Sequence, residues 1–320
     1  MNAVDPHIAQ PTLTSSVLRP RLRVVGEGET GPKVDSDALL GQYIPLHYHG
    51  QMLATETRVS AFREAIARLV PTGGVALELG GGTGIMSYFA AKKARKVICV
   101  ERIPHVAAAA RKLLARNGVA DRVTVIEDDA ATFLPDEPVD AVICEMLHTA
   151  LLREKQTIII DRFKQSYLKR FGGPLPIFLP EATILAVQPV GSSYNFQGYE
   201  APVPMFHPAH ASVDPTVQIG APDVYAMFEY RAAIPQRFEY DRILTVNAAG
   251  TLNGLRFITK NLVGIVPEEK RSFDWHMDYL VMPLPEALEV AAGEQIRVQF
   301  EYDAGDSVTS LGDSIQATKR

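Results

Sequence analysis

Two hydrophobic periods run along the chain, and the change from one to the other divides it. From Met52 the apolar residues Val59, Phe62, Ile66 and Leu69 recur at helical spacing, with Arg58, Arg63, Glu64 and Arg68 on other faces, until Pro71 ends the run. Alternating units follow: a strand over 75–79, a helix over 85–93, a strand over 96–101, a helix over 104–116, and strands over 123–126 and 139–144. Pro104 opens the second of these helices and Asn117-Gly118 stops it. Strands alternating with helices predict a parallel sheet wound with helices, a Rossmann-like α/β domain. A further helix is expected from about Glu154 to Lys169, closed by Gly172, Gly173 and Pro174.

Beyond Phe178 the period shortens. Segments at 182–187, 224–232, 237–246, 254–266, 278–282 and 295–302 have strand composition, and residues 295–302 alternate apolar and polar as a half-solvated strand does. They predict a second, all-β domain, a sandwich or barrel. Between 191 and 222, Pro202, Pro204, Pro208 and Pro215 punctuate a stretch that reads as a long loop or projecting arm. Residues 1–35 lack sustained periodicity and are expected to form a mobile or loosely docked segment. The expected organisation is therefore 1–35, an α/β domain over 36–180 and a β domain over 181–320.

Composition narrows the function more than the fold. The 320 residues are 47% hydrophobic and 22% charged, ordinary for a globular protein with two domains. A net charge of −5 argues against broad nucleic-acid or anionic-membrane binding and suits a basic substrate better. Cys99 and Cys144 lie inside apolar strands and read as small buried side chains, not as a disulfide or metal pair. With no bilayer-length apolar run and no signal-peptide core, a cytoplasmic protein is expected, with no metal.

The chemistry gathers at strand ends. The first strand opens onto Gly80, Gly81, Gly82, Thr83 and Gly84, where side chains at Gly80, Gly82 or Gly84 would occupy the space of a ligand touching the main chain. Glu101 ends the second strand, where doubly wound folds place a carboxylate on ribose hydroxyls. Asp129, after the strand over 123–126, would meet an adenine amine at the same edge; an ordinary acidic turn is the competing explanation. A nicotinamide cofactor and S-adenosylmethionine both fit this much. The glycines, however, occupy alternate positions with Glu78 two before the first, unlike the G-x-G-x-x-G spacing that admits a pyrophosphate. This resembles motif I of class I S-adenosylmethionine methyltransferases, whose acid lies near the amino-acid part of the cofactor.

At the end of the strand over 139–144, Glu145 and Glu154 flank a short segment that, folded back as a hairpin, directs both carboxylates into one volume. Two carboxylates in a dry site raise each other's pKa unless a cation sits between them, and a guanidinium has the planar fork that matches them. With these residues the chain resembles the protein arginine methyltransferase family over roughly residues 40–305. The resemblance matches Glu145 and Glu154 to the family's double-E loop and Tyr43, His49, Met52 and Arg58 to the N-terminal helix folded over the cofactor. It implies that Arg58 binds the cofactor carboxylate, and that Met52, Glu78, Gly80, Gly82, Gly84, Glu101 and Asp129 complete that site. It places Tyr43, His49, Asp274 and Trp275 on the substrate side, and implies a homodimer formed through an arm near 191–222.

The departures surround the substrate side. Phe273-Asp274-Trp275 stands where family members have Thr-His-Trp, Thr55 where many have an aspartate, and His148-Thr149 alters the loop interior. An extra acid at Asp274 offers a seat for an α-ammonium group, making free L-arginine or a small guanidine a candidate beside protein arginine; surface packing is the competing explanation for Asp274 and Trp275. Methylation of another nucleophile, an amine or hydroxyl, and a silent scaffold that keeps the fold are the alternatives.

Overall fold

The computed structural model describes residues 44–320; the expected 1–35 segment and Tyr43 lie outside the described residues. Two helices lead the described chain, α1 (Leu46–Ala54) and α2 (Glu56–Leu69). A five-stranded parallel sheet follows, with β1 (Val75–Leu79), β2 (Lys96–Val100), β3 (Val123–Ile126), β4 (Ala141–Cys144) and β5 (Ile177–Leu179) in the order β3-β2-β1-β4-β5. Helices α3 (Ile85–Ala90), α4 (Pro104–Arg116) and α5 (Gln156–Phe171) make the crossovers.

Every residue of β1 and β4 is buried, as a parallel sheet with both faces covered requires. The strand order reverses between β1 and β4, and a doubly wound sheet opens its ligand crevice at that switch point, outside the carboxyl ends of the strands. Glu78, the glycine cluster and Glu145 belong to those two strands and their ends.

From Ala182 the chain becomes antiparallel. The strands are β6 (Ala182–Ser192), β7 (Asn195–Phe196), β8 (Tyr199–Glu200), β9 (Met205–His207), β10 (Thr216–Gln218), β11 (Asp223–Glu229), β12 (Arg237–Thr245), β13 (Gly250–Val266), β14 (Arg271–His276), β15 (Tyr279–Val290), β16 (Gln295–Asp303) and β17 (Gln316–Lys319). One ladder runs β10-β6-β13-β15-β9, with β11 on β6 and β14 on β13, while β12-β16-β17 form a second. A short helix, α6 (Val308–Ser314), precedes β17 and is capped by the Ser307 hydroxyl, which accepts from the Ser310 N–H at 3.0 Å.

The stretch 191–222, read from its prolines as a long loop or projecting arm, carries four short strands. Its β9 pairs with β15 and its β10 with β6, so it folds back onto the sheet, and the β7–β8 hairpin leaves Phe196 and Tyr199 exposed. The prolines lie between these short strands and need donate to no ladder.

Helix α2 joins the two kinds of structure. It buries Phe62, Ala65 and Ile66, and Phe62 meets Trp275 of β14 edge to face, ring centroids 6.4 Å apart. Burying one such aromatic contributes about 1.5–3 kcal/mol. Gly264 of β13 permits the contact, since a Cβ there would come within 2.6 Å of Leu69 and 2.9 Å of Ala65. Among the described residues no helix is long and apolar enough to cross a membrane.

Candidate functional site

At the end of β1 the chain turns sharply through left-handed backbone. Gly80 has φ 74° and a Cβ there would lie 2.6 Å from the Met146 sulfur; Gly82 has φ 55° and its Cβ would lie 2.8 Å from the His49 ring. Gly84 differs from its expected role. It caps α3 and packs against Leu114, 3.0 Å from where its Cβ would be, so it serves the helix start and is not among the residues lining the cavity beside Gly80 and Gly82.

Two acids hold this turn. Glu101 accepts the Gly82 N–H at 2.9 Å with one carboxylate oxygen and the Ile103 N–H at 2.8 Å with the other, which leaves lone pairs on both. Glu78, 4% exposed, accepts from the Ser87 N–H at 2.9 Å and from the Ser87 hydroxyl. Burial pushes its carboxyl up to about 7, against the pull of those hydrogen bonds. Gly80, Gly82, Glu101, Asp129 and Met52 line a cavity of about 280 Å³ that Glu145 and Glu154 also reach. Asp129 turns one oxygen to the Ala131 N–H at 2.9 Å and lies 3.7 Å from Arg102.

His49 was expected on the substrate side. It stands over Gly82 and lines the glycine-side cavities, because α1 crosses the turn there, and burial lowers its pKa while Glu101 raises it.

Glu145 follows β4 directly. Arg58 of α2 donates to one of its oxygens through Nε, at 2.7 Å, and through Nη2, while Nη1 donates to the Met52 carbonyl at 3.0 Å. Burial pushes the Glu145 carboxyl up and Arg58 partly restores it. Glu154 lies in the loop before α5, which begins at Gln156 and not at Glu154. Burial and then the Glu145 charge push its carboxyl well above the usual range. Arg58 thus sits on Glu145, while Glu154 feels the Arg58 and Arg153 charges only partly offsetting its burial, and the site has the electrostatics to accept a further cation. Between them Ala150, Leu151 and Arg153 adopt φ of 58°, 58° and 62°. Left-handed backbone at a residue with a Cβ costs on the order of 1–3 kcal/mol.

A larger cavity of about 800 Å³ opens on the other side of the pair, lined by Met52, Arg58, Glu145 and Glu154 and by Phe206, His210, Trp275 and His276. Trp275, expected on the substrate side, is one of the residues lining it. Asp274 is not among the lining residues: side chains alternate along β14, so it lies opposite the buried Phe273 and Trp275, on the face it shares with His276. There it meets Lys260 at 2.7 Å and accepts from the Ser272 hydroxyl at 2.7 Å, contacts that hold its carboxyl low despite partial burial.

Sequence reasoning singled out His148 but missed the other imidazoles of this cavity, His210 and His276. His210 and His276 meet edge to face with centroids 6.1 Å apart, and His148 meets Phe206 in the same way at 5.4 Å. Burial, then Lys260 and His210, lower the His276 pKa. His210 and His276 come from separate segments with no shared spacing, so no motif marked them. The Cys144 thiol is buried, and that burial together with Glu145 and Glu154 raises its pKa far enough to make it inert. Among the described residues no group of three or more His, Cys, Asp or Glu side chains is arranged to hold a metal ion.

Comparison with known proteins bears on this geometry. A methyltransferase-domain family profile matches residues 76–166, the span from β1 into α5. An uncharacterized protein of Methanothermobacter thermautotrophicus is 30% identical over 270 residues, covering 84% of this chain and 97% of the relative. A probable protein arginine N-methyltransferase 6.1 of Oryza sativa subsp. indica is 26% identical over 194 residues, 56% of this chain; the chain spans only 50% of that relative's length. Among solved structures, the Trypanosoma brucei PRMT1 enzyme-prozyme heterotetrameric complex with AdoHcy superposes with a TM-score of 0.66 at 20% identity, covering 88% of this chain and 98% of that one.

Proposed function

The chain belongs to a divergent, protein arginine methyltransferase-like family of S-adenosylmethionine-dependent methyltransferases, and we propose that it methylates a nitrogen of a guanidino group. One observation carries the substrate assignment. Two carboxylates of raised pKa face one volume, and a guanidinium of the protein itself, Arg58, already sits on one of them.

The residues on the β1 side fit the cofactor. Gly80 and Gly82 leave space that a Cβ would fill, Glu101 keeps lone pairs for ribose hydroxyls, and Asp129 lines the same cavity, where it would meet the adenine. Arg58, beside Glu78 and the glycine turn, would take the cofactor carboxylate, with Met52 alongside and Glu78 toward the amino-acid end. When bound, S-adenosylmethionine supplies a methyl group on a positively charged sulfur.

The chain's own residues address the weakness of the nucleophile. A guanidinium, with pKa above ~12, delocalises its lone pairs and attacks poorly. Glu145 and Glu154 hold it by charge-assisted hydrogen bonds, drawing positive charge toward the nitrogens they touch and leaving the target nitrogen richer in electrons. Fixing that nitrogen on a near-attack line contributes further, in some systems several kcal/mol. Glu154, the more proton-hungry of the two, accepts at a carboxylate oxygen the proton that the target nitrogen sheds.

Asp274 was one of the departures that made free L-arginine or a small guanidine a candidate, and its engagement with Lys260 weakens that argument. The cavity of about 800 Å³ supports an arginine bearing an attached group equally well. The deciding assay offers free L-arginine and an arginine-rich protein with the cofactor and locates the new methyl by mass spectrometry. A methyl found on an amine or hydroxyl overturns the guanidino assignment. The exposed Phe196 and Tyr199 of the β7–β8 hairpin support a homodimer, which light scattering would read as twice the chain mass.

A further inference from the structure

The loop that carries the two carboxylates cannot hold its own shape. Ala150, Leu151 and Arg153 occupy the left-handed region, which their Cβ atoms resist, so the segment relaxes elsewhere unless its backbone is tied from outside. The ties come from the antiparallel layer. Thr259 of β13, wholly buried, accepts the Ala150 N–H on its hydroxyl at 2.7 Å. The Thr149 hydroxyl donates to the Asp278 carbonyl at 2.7 Å. The Arg153 N–H donates to the Asp306 carbonyl at 2.7 Å, and the Gly305 N–H to the Leu151 carbonyl at 2.8 Å. Glu145 and Glu154 stand at the two ends of the tied segment.

Building on the guanidino-transfer reading, we propose that Thr259 is a positioning residue for that reaction: its hydroxyl fixes the strained loop so that Glu145 and Glu154 face the substrate together. The antiparallel layer then does more than wall the cavity. It sets the separation and aim of the carboxylates, although it contributes neither of them. Two of the four ties run between backbone groups and survive any side-chain change, so the control lies with the two threonines. Thr259 is the more consequential, because its loss strands a buried N–H at the residue where the left-handed run begins.

The test compares wild type with Thr259→Val, Thr259→Ser and Ala150→Gly. Three quantities are read: methyl transfer to whichever of L-arginine or an arginine-rich protein the wild type turns over, S-adenosylhomocysteine affinity by calorimetry, and hydrogen exchange across residues 146–154. Thr259→Val keeps the shape but not the acceptor. It is expected to lower kcat about tenfold to a hundredfold, leave S-adenosylhomocysteine affinity within about twofold, and speed exchange in the loop. Thr259→Ser restores the acceptor and is expected to restore kcat and protection. Ala150→Gly relieves the left-handed conformation and is expected to raise the melting temperature while lowering kcat, a divergence that a merely structural tie would not produce. Should Thr259→Val not fold, Thr149→Val removes the adjacent tie and is expected to reproduce the loss of kcat. Wild-type kcat and wild-type exchange in Thr259→Val, or a Thr259→Ser variant as impaired as Thr259→Val, overturns the proposal. A wild type inactive on every guanidine overturns the guanidino reading instead, and the exchange data then still report whether Thr259 fixes the loop.

Discussion

Replacing Glu78 by Gln should stabilise the protein without cofactor, by an amount that depends on pH. Glu78 sits in the middle of a fully buried strand, and its carboxyl is pushed from 4.5 up to about 7. Ionising it there costs more than in the unfolded chain. In the unfolded state the proton leaves near pH 4.5; in the folded state it stays until near 7, so folded-state stability is lost as pH rises across that window. Each pKa unit is about 1.36 kcal/mol, which puts the accumulated penalty above pH 7 at about 3 kcal/mol, an order-of-magnitude figure. Glutamine keeps the oxygen that accepts from the Ser87 N–H and hydroxyl but cannot ionise. Urea unfolding of both proteins from pH 4.5 to 8.5 should give curves that converge at the acid end and separate toward a plateau above 7, with the variant the more stable. A variant less stable than wild type at pH 8, or a gap that does not change with pH, refutes the reasoning. A carboxylate kept at such a cost is characteristic of a group retained for function.

Three further outcomes follow from the same geometry. Arg58→Ala should weaken S-adenosylhomocysteine binding at least about tenfold by calorimetry, since it removes a largely desolvated guanidinium and leaves Glu145 without its partner. Asp274→Asn should leave turnover within about twofold of wild type and cost about 0–1 kcal/mol of stability, because its ion pair with Lys260 is partly exposed and outside the cavity; a large loss of turnover would return Asp274 to the substrate site. Gly80→Ala should abolish measurable cofactor binding, as its Cβ enters the space beside Met146 and its φ of 74° disfavours any side chain.

The α/β half was legible because its signals are local. Gly80 and Gly82 after an apolar strand, Pro104 at a helix start and Asn117-Gly118 at its end each fix structure within a few residues. The stretch 191–222 was not, because pairing of β9 with β15 and of β10 with β6 depends on partners far along the chain. Asp274 and Trp275 show the limit at one site. Their identities were readable, but which face each takes depends on the register of β14 against β13, which includes a bulge between Leu262 and Gly264. His210 and His276 were unreadable for the same reason: nothing but the tertiary fold makes them neighbours. Glu145 and Glu154 stood out as a spaced pair, yet the left-handed residues between them, and Thr259 that ties that loop from β13, left no mark in the sequence.

The most direct test of the central claim is turnover of Glu145→Gln and Glu154→Gln on the wild-type substrate, measured beside calorimetric binding of S-adenosylhomocysteine. The account predicts that each substitution lowers kcat/KM by at least about a hundredfold, the loss of one charge-assisted pair to the guanidinium, while both variants still bind S-adenosylhomocysteine. Near-wild-type turnover by either variant, on a substrate whose new methyl maps to a guanidino nitrogen, would contradict it.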